Sequence, residues 1–419
     1  MIKTKQQVTE CIYQDLSSVT SQTALVGFNA NSLLSEDLAL TSIDVVNMLD
    51  RLAVNDALHA SDETRKLDEI TTIRDLADAL FADQVLPEWY GKLEEYVDAK
   101  VHCLASCLCE LVKQKQLDHR PYYFCVPDAE VIVSDKTMLN YHSDDISHQY
   151  MLDGFTTLYG MTVEPWYDTS ITKAKNAEKL TDLVDNKLDS EHIIVMLDMY
   201  HLPGIDKEFD RDPFPHYVMV GKTNDPSQWF IYDPDYRWEG IIGKDRILNA
   251  FMQPTVEGGL LVNDAHAKPY TRDAINNFYQ QCIKPDFNAL NAASRQILQF
   301  FVAGKDAQNR SLDLKGVALA LEQIPVLSTR KYAYEHCLAY FWKELDYEEP
   351  EFDDLCELIE ELYNVYKLVT FQIMKIAASG NAKFINKAFA LLDAQDEREY
   401  RIKQRLADVY SVWAHKHGY

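Results

Sequence analysis

Strand-forming sequence is confined to one window of this chain, and that confinement limits the fold more than any other feature. Short Tyr-, Val- and Ile-rich runs, such as Tyr122 to Val126 and Glu130 to Val133, begin near residue 120 and end near residue 250. The clearest predicted strands in the window are His192 to Leu197, Tyr217 to Val220 and Trp229 to Tyr232. Pro-, Gly- and Asp-rich turns separate them, which is the pattern of an antiparallel meander. Helical patterns near His148 to Tyr159 and Ala174 to Leu188 alternate with the strand runs, so the window predicts an α+β domain. Outside it, helical periods take over. Residues 90–118 form a helical pattern, and from Thr271 onward long helices are expected, clearest in Leu355, Leu358, Leu362, Val365, Val369 and Ile373. The first 85 or so residues read as short helices over Val8 to Val19, Ile43 to Ala57 and Ile73 to Phe81, with a loop through Asn29 to Glu36. In the second of these, Ile43, Val46, Leu49 and Leu52 or Ala53 recur at amphipathic spacing. A chain of 419 residues, 47% hydrophobic, is expected to form several cores. The expected fold is multidomain: an all-α segment over 1–86 with a boundary near Pro87, an α+β domain with an antiparallel sheet over 92–270, and an α-helical C-terminal region over 271–419.

The formal net charge of −25 argues against nucleic acid as a partner, because phosphate binding needs clustered Lys and Arg, and no such patch is visible. It would favour a cationic partner, although acidity also simply keeps proteins soluble. Met1 to Asp15 lacks the apolar core of a secretory signal, and no stretch approaches the roughly 18 apolar residues of a membrane span. A cytoplasmic location without membrane attachment is therefore expected. The eight cysteines, at 11, 103, 107, 109, 125, 282, 337 and 356, lack the spacing of a disulfide framework, so reduced thiols are expected, one of them a candidate nucleophile.

Ser42 stands where a helix is predicted to start. Backbone N–H groups and the helix dipole tolerate a phosphodiester at such a place. The run from Glu36 to Leu49 resembles the acyl carrier protein consensus, in which a Leu-Asp-Ser-Leu or Leu-Asp-Ser-Ile element follows a turn. The stretch from Ile70 to Leu80 resembles the threonine-led last helix of that family, at the family's separation. The resemblance implies a four-helix carrier bundle with 4'-phosphopantetheine covalently attached to Ser42, and a phosphopantetheinyl transferase as partner. Thr41 stands where the family usually has Asp, a residue that such a transferase often reads. Residues 1–90 contain 6 Lys and Arg against 15 Asp and Glu, and Asp44 and Asp50 are candidate docking residues. Plain helix capping is the alternative duty for Ser42, and a solvated acidic face the alternative for the two aspartates.

A second constellation involves Cys, His and Asp. Cys103 follows His102 at the start of a predicted helix, where the dipole favours a thiolate. His216 begins one predicted strand and Asp233 ends the next, so a hairpin would set them side by side. This order resembles papain-like and peptidase C39-like domains. The segments Val101 to Leu108, Leu197 to Pro203 and Pro215 to Gly221 resemble the butirosin H-type acyltransferases, which move an acyl group from a carrier protein to an amine. That resemblance implies Cys103 as the acyl-accepting nucleophile, His216 as the base and Asp233 as the group that fixes the imidazole tautomer. Each also has a structural alternative: a buried thiol, a satisfied strand histidine and a turn aspartate. Asp198, with Tyr200 beside it, is a candidate for binding the incoming ammonium or for a cap or turn. Asp206, Glu208, Asp210 and Asp212 would attract a polyamine if their loop lines the entrance. Cys107 and Cys109 lie within two helical turns of Cys103, but the spacing is not that of a zinc site, and no metal is expected. His142 and His148, which flank Asp144 and Asp145, read as surface polar residues.

A carrier and a transferase in one chain resemble, as a fusion, the carrier and 3,4-dihydroxybenzoyl transferase of petrobactin-type siderophore assembly. The resemblance implies acyltransferase activity from thioester to amide, with spermidine or another polyamine as acceptor. It also implies an acyl- or aryl-activating ligase and other siderophore synthetases as partners. A tethered carrier would meet its catalytic domain at roughly millimolar effective concentration. Acylation of an aminoglycoside-type product, a cysteine peptidase and a non-catalytic carrier-bearing scaffold remain alternatives. Long helices such as 350–378 would suit a homodimer, though core packing is their commoner use.

Overall fold

The computed structural model describes residues 8, 11–12, 14–16, 42–56, 72–82, 101–141, 146–202, 213–236 and 238–419. The chain divides into two compact units, Met1–Lys92 with Trp238–Gly240, and Leu93–Arg237 with Ile241–Tyr419.

In the first unit, helices Ser42–Asp56 and Ile73–Ala82 and the helical residues between 8 and 16 share a small core. It comprises Val8, Cys11, Ile12, Leu16, Val45, Met48, Leu49, Leu52, Ile73, Leu76, Ala77 and Leu80. The buried stripe of the first of these helices runs through Val45, Met48, Leu49 and Leu52, with Val46 half-buried. The expected face is therefore rotated by about one residue, because Met48 fills the interior where Val46 was expected. Arg51 ties this helix to the N-terminal residues by two hydrogen bonds to the Asp15 carboxylate, of 2.8 and 2.6 Å. Thr72 and Asp75 cap the Ile73–Ala82 helix reciprocally: the Thr72 N–H donates to Asp75 Oδ2 at 2.9 Å and the Asp75 N–H to Thr72 Oγ1 at 3.1 Å. The described residues supply three helical stretches of the four that a carrier bundle requires. Thr41 and the loop 29–36 lie outside the described residues.

The second unit is built on a sheet whose strands are β3 (Thr162–Pro165), β4 (Glu191–Asp198), β5 (Pro215–Lys222), β6 (Gln228–Asp233), the residues Ile241–Gly243 of β7 (Trp238–Gly243), and β8 (Gly259–Asn263); a separate two-stranded ribbon pairs β1 (Ile132–Val133) with β2 (Leu139–Asn140). The order is β3-β8-β4-β5-β6-β7, and β3 with β8, β8 with β4, β4 with β5 and β5 with β6 pair antiparallel. β4, β5 and β6 form the expected meander. β8, which the sequence reading did not anticipate, inserts between β3 and β4 with Leu261 opposite Ile193. The run Tyr122 to Val126 is not a strand. Pro121 starts a buried 3-10 helix, Arg120–Cys125, whose aromatic residues face the C-terminal helices, with Phe124 stacked on Phe341 at 5.6 Å.

Helix Cys103–Gln114 packs on β5, and helices from Arg272–Cys282 onward continue into the same hydrophobic core. The last two, Glu349–Ser379 and Ala382–His417, form a hairpin that reverses at Gly380 with φ +62°. Among the described residues no helix is long and apolar enough to cross a membrane.

Gly259 sits against the Trp166 indole, whose Nε1–H donates to the Ile194 carbonyl at 3.1 Å, and an added Cβ would overlap the ring. Gly259→Ala is expected to destabilise the sheet domain by about 1–3 kcal/mol through overpacking, read as a lower urea midpoint. An unchanged midpoint would mean that Trp166 yields freely.

Candidate active site

The sheet face that carries His216 is otherwise apolar. Side chains alternate along a strand, so His216, Val218 and Val220 of β5 share a face with Ile231 and Asp233 of β6, given that Val220 pairs with Ile231. All five are buried. His216 and Asp233 are thus titratable groups inserted in a hydrophobic surface. His216 Nε2 and Asp233 Oδ2 are 2.9 Å apart, and Asp233 Oδ1 accepts the N–H groups of Asp235 and Tyr236 at 3.1 and 3.2 Å. The carboxylate is held by the turn that follows its own strand. The Cys103 sulfur lies close enough to act on the charge of the imidazole. With Nε2 committed to Asp233, Nδ1 is the ring nitrogen that remains for another partner.

Burial alone would push His216 towards its neutral form. The Asp233 carboxylate, the Cys103 sulfur and the hydrogen bond to Asp233 outweigh that and raise its pKa well above the usual histidine value. Phe214 stacks near the imidazole at 5.7 Å, and Tyr236 meets it edge-on at 5.1 Å. The arrangement favours an imidazolium beside the sulfur, which is the electrostatic requirement of an activated thiol.

Cys103 is the first residue of its helix and is half-buried. His102 caps that helix, with Nδ1 accepting the Ala105 N–H at 3.4 Å. Burial and the nearby Arg330 cation hold the His102 pKa well below the usual value, as an acceptor nitrogen requires. A carboxylate that the sequence reading missed completes the helix start. Asp235 Oδ1 accepts the Val101 and His102 N–H groups, each at 3.2 Å, and the Ser106 hydroxyl at 2.8 Å. Burial and the adjacent Asp233 push its pKa up, against the His216 charge and these donors. The only sequence signal was the Asp-Pro-Asp run at 233–235, which reads as a turn.

Cys107, one turn on, is fully buried, and its thiol faces the Tyr217 carbonyl at 3.6 Å. Burial raises its pKa well above the usual thiol value, so it is the poorer nucleophile. Cys109 lies against the His119 carbonyl at 3.9 Å.

Asp198 is buried and fully engaged. Oδ1 accepts the Tyr200 N–H at 3.2 Å and the Phe214 N–H at 3.0 Å, and Oδ2 accepts the Thr255 hydroxyl at 3.2 Å. These bonds fasten the end of β4 to the residue before β5, one pair beyond the Leu197–His216 match. Tyr200 is 46% exposed. Of the remaining candidates, Asp206, Glu208, Asp210, Asp212, His142, Asp144 and Asp145 lie outside the described residues. His148 Nε2 is 3.0 Å from the Tyr141 carbonyl oxygen. Among the described residues, no three His, Cys, Asp or Glu side chains converge as a metal site. Ser42 is the first residue of its helix, in the other unit.

Two family models match the chain, the DUF6005 N-terminal domain over residues 98–267 and the DUF6005 C-terminal domain over 273–419. A curated protein named petrobactin synthase, from Bacillus anthracis, is 33% identical over 315 residues, which cover 75% of this chain and 95% of that protein. Residues 1–97 lie outside both family models.

Asp235→Asn is expected to weaken the anchoring of the helix start. The predicted loss is about 1–3 kcal/mol of stability, with slower alkylation of Cys103 by iodoacetamide. The raised pKa of His216 also sets a sign for pH dependence. Its stabilising contribution is complete below the unperturbed value of about 6.5 and is lost as pH rises through the raised folded value. Urea midpoints measured across that range should fall in the wild type and fall less in Asp233→Asn. Parallel curves would assign the slope to other groups.

Proposed function

Because the chain belongs to the petrobactin synthase family, we propose that it is an acyltransferase of siderophore biosynthesis that forms an amide from a carrier-bound thioester. The observation that carries this reading is the Asp233–His216–Cys103 relay at a helix start. A peptidase could use the same relay. The petrobactin synthase relative and the carrier-like N-terminal segment favour acyl transfer.

The acyl group is 3,4-dihydroxybenzoyl and the acceptor is a primary amine of a polyamine such as spermidine. Ser42 carries the 4'-phosphopantetheine on which the acyl group arrives, after a phosphopantetheinyl transferase has modified it and an activating ligase has loaded it. The Cys103 thiolate attacks the thioester carbonyl. The pantetheine sulfur leaves with the proton of the His216 imidazolium, and Cys103 holds the acyl group as a new thioester beside a neutral imidazole. The amine then attacks that carbonyl, His216 Nδ1 takes the amine proton, and the Cys103 sulfur leaves as thiolate. The sum is one thioester and one amine converted to one amide and one free pantetheine thiol. Backbone N–H groups at the helix start are the natural donors for the oxyanion, since Asp235 occupies those of Val101 and His102 but not that of Cys103.

Intact-mass measurement tests both halves. Incubation with coenzyme A and a phosphopantetheinyl transferase should add one arm to the wild type and none to Ser42→Ala. After loading by a dihydroxybenzoate-activating ligase, Cys103→Ala should accumulate acylated carrier, while the wild type releases dihydroxybenzoyl-spermidine. Unimpaired product formation by Cys103→Ala would overturn the mechanism. An unmodified Ser42, under conditions that load a control carrier, would overturn the role of the first unit.

A further inference from the structure

Most buried cations of the second unit have an acid beside them: Arg120 pairs with Asp118, Lys331 with Glu399 and Lys403 with Asp128. Arg330 differs. It opens the 3-10 turn Arg330–Tyr332 and is only 7% exposed, yet among the described residues its side chain has neither an ion pair nor a hydrogen bond. Its guanidinium lies over the Tyr141 ring, 4.4 Å from the centroid. With a ring face as its neighbour, the guanidinium keeps donors to spare for an incoming acceptor.

The surroundings identify the place. The groups whose fields act on Arg330 are Tyr141, Cys103, Tyr150 and Cys125, and Arg330 in turn acts on His102. The cation therefore lies within electrostatic range of the nucleophile and of the residue that caps its helix. Three groups could supply its acceptor. The phosphodiester of a pantetheine arm is too remote, because the whole arm separates it from the thioester under attack. The Cys103 sulfur loses any charge once it is acylated. The acyl group itself remains, and it is the component that must rest beside Cys103 throughout the acyl-enzyme stage.

We propose that Arg330 and Tyr141 form the recognition site for the acyl group and select an aromatic acid with adjacent ring hydroxyls, the guanidinium fork donating to both oxygens. A planar fork of donors suits two neighbouring oxygens better than a point charge does, and a tyrosine face suits the edge or face of an aryl ring. The inference rests on the acyl-transfer reading of Cys103 and gives the helical C-terminal region a part in specificity.

The test separates the two claims by measuring binding apart from chemistry. Methyl 3,4-dihydroxybenzoate and methyl benzoate, neutral esters that stand in for the thioester, are titrated into the full chain and into Arg330→Gln and Arg330→Lys. Arg330→Gln should bind the dihydroxy ester at least about tenfold more weakly, as expected for lost hydrogen bonds to a charged group, with methyl benzoate within about twofold of wild type. Arg330→Lys, which keeps the charge without the fork, should fall between. Equal loss for both esters, no loss for either, or absence of dihydroxy ester binding by the wild type would each overturn the assignment. If Cys103 is never acylated by a loaded carrier while the Arg330-dependent preference persists, the transfer mechanism fails and the binding site stands.

Discussion

A helix start buried in a protein interior exposes N–H donors that need acceptors, and at Cys103 the rest of the site is organised around how they are met. Asp235 takes two backbone donors and the Ser106 hydroxyl, while the His102 ring takes the Ala105 N–H. Asp235 is itself placed by Asp233, which accepts its N–H. The carboxylate that orients His216 therefore also fixes the residue that anchors the nucleophile's helix. One turn, Asp233 to Tyr236, couples the two halves of the relay. Loss of either acid would disturb both the imidazole and the sulfur.

Two acids two residues apart would repel each other in a dry interior unless each were answered by donors. Asp233 has three, counting the His216 ring, and Asp235 has three. These donors offset part of the repulsion, the Asp235 pKa is still pushed up by burial and by Asp233, and the raised pKa of His216 is the complementary consequence of the same field.

What the sequence made legible follows the range of the interactions involved. Local periodicity located the strands β4, β5 and β6 and the helices Ser42–Asp56, Ile73–Ala82, Gln149–Tyr159, Lys173–Asn186 and Glu349–Ser379 within a residue or two, because alternation and three-and-four spacing are written into consecutive residues. The neighbouring positions of His216 and Asp233 followed from a short hairpin. Asp235 was not legible, since an aspartate after Pro234 has the same composition whether it faces water or a distant helix 129 residues earlier in the chain. Asp198 looked like a ligand for an ammonium group, but three neighbouring donors occupy its carboxylate, which is the capping behaviour that short acidic side chains share. Tyr122 to Val126 has the composition of a strand, and tertiary packing against the helix Ala333–Leu345 overrides that preference. β8 was missed because Gly259, Leu260, Leu261 and Val262 show no alternation of apolar and polar residues. In the first unit the buried stripe was misplaced by about one position, within the ambiguity of a short amphipathic helix.

Arg330 was least legible of all, because its burial depends on segments far apart in the chain. Its neighbour Lys331 shows how that burial is fixed. Side chains in a 3-10 turn are about 120° apart, so adjacent residues point in different directions. Lys331 points into an ionic cluster, where its ammonium donates to the Pro127 carbonyl and Glu399, each at 2.6 Å. Tyr334 bridges Glu399 and Asp128, and Asp128 meets Lys403 at 2.7 Å. Such a cluster adds little net stability compared with an apolar core of the same volume, but breaking one partner costs about 3–5 kcal/mol, so it tolerates only one arrangement. Because Pro127 and Asp128 belong to the segment before the sheet while Glu399 and Lys403 belong to the last helix, the cluster fixes the helical region against the sheet domain. With Lys331 locked on one side of the turn, Arg330 is carried to the other, beside Tyr141 and Cys103. The long C-terminal helices thus act on the site through a single turn, and the precision of that turn comes from charges buried where none of them touches the reacting atoms.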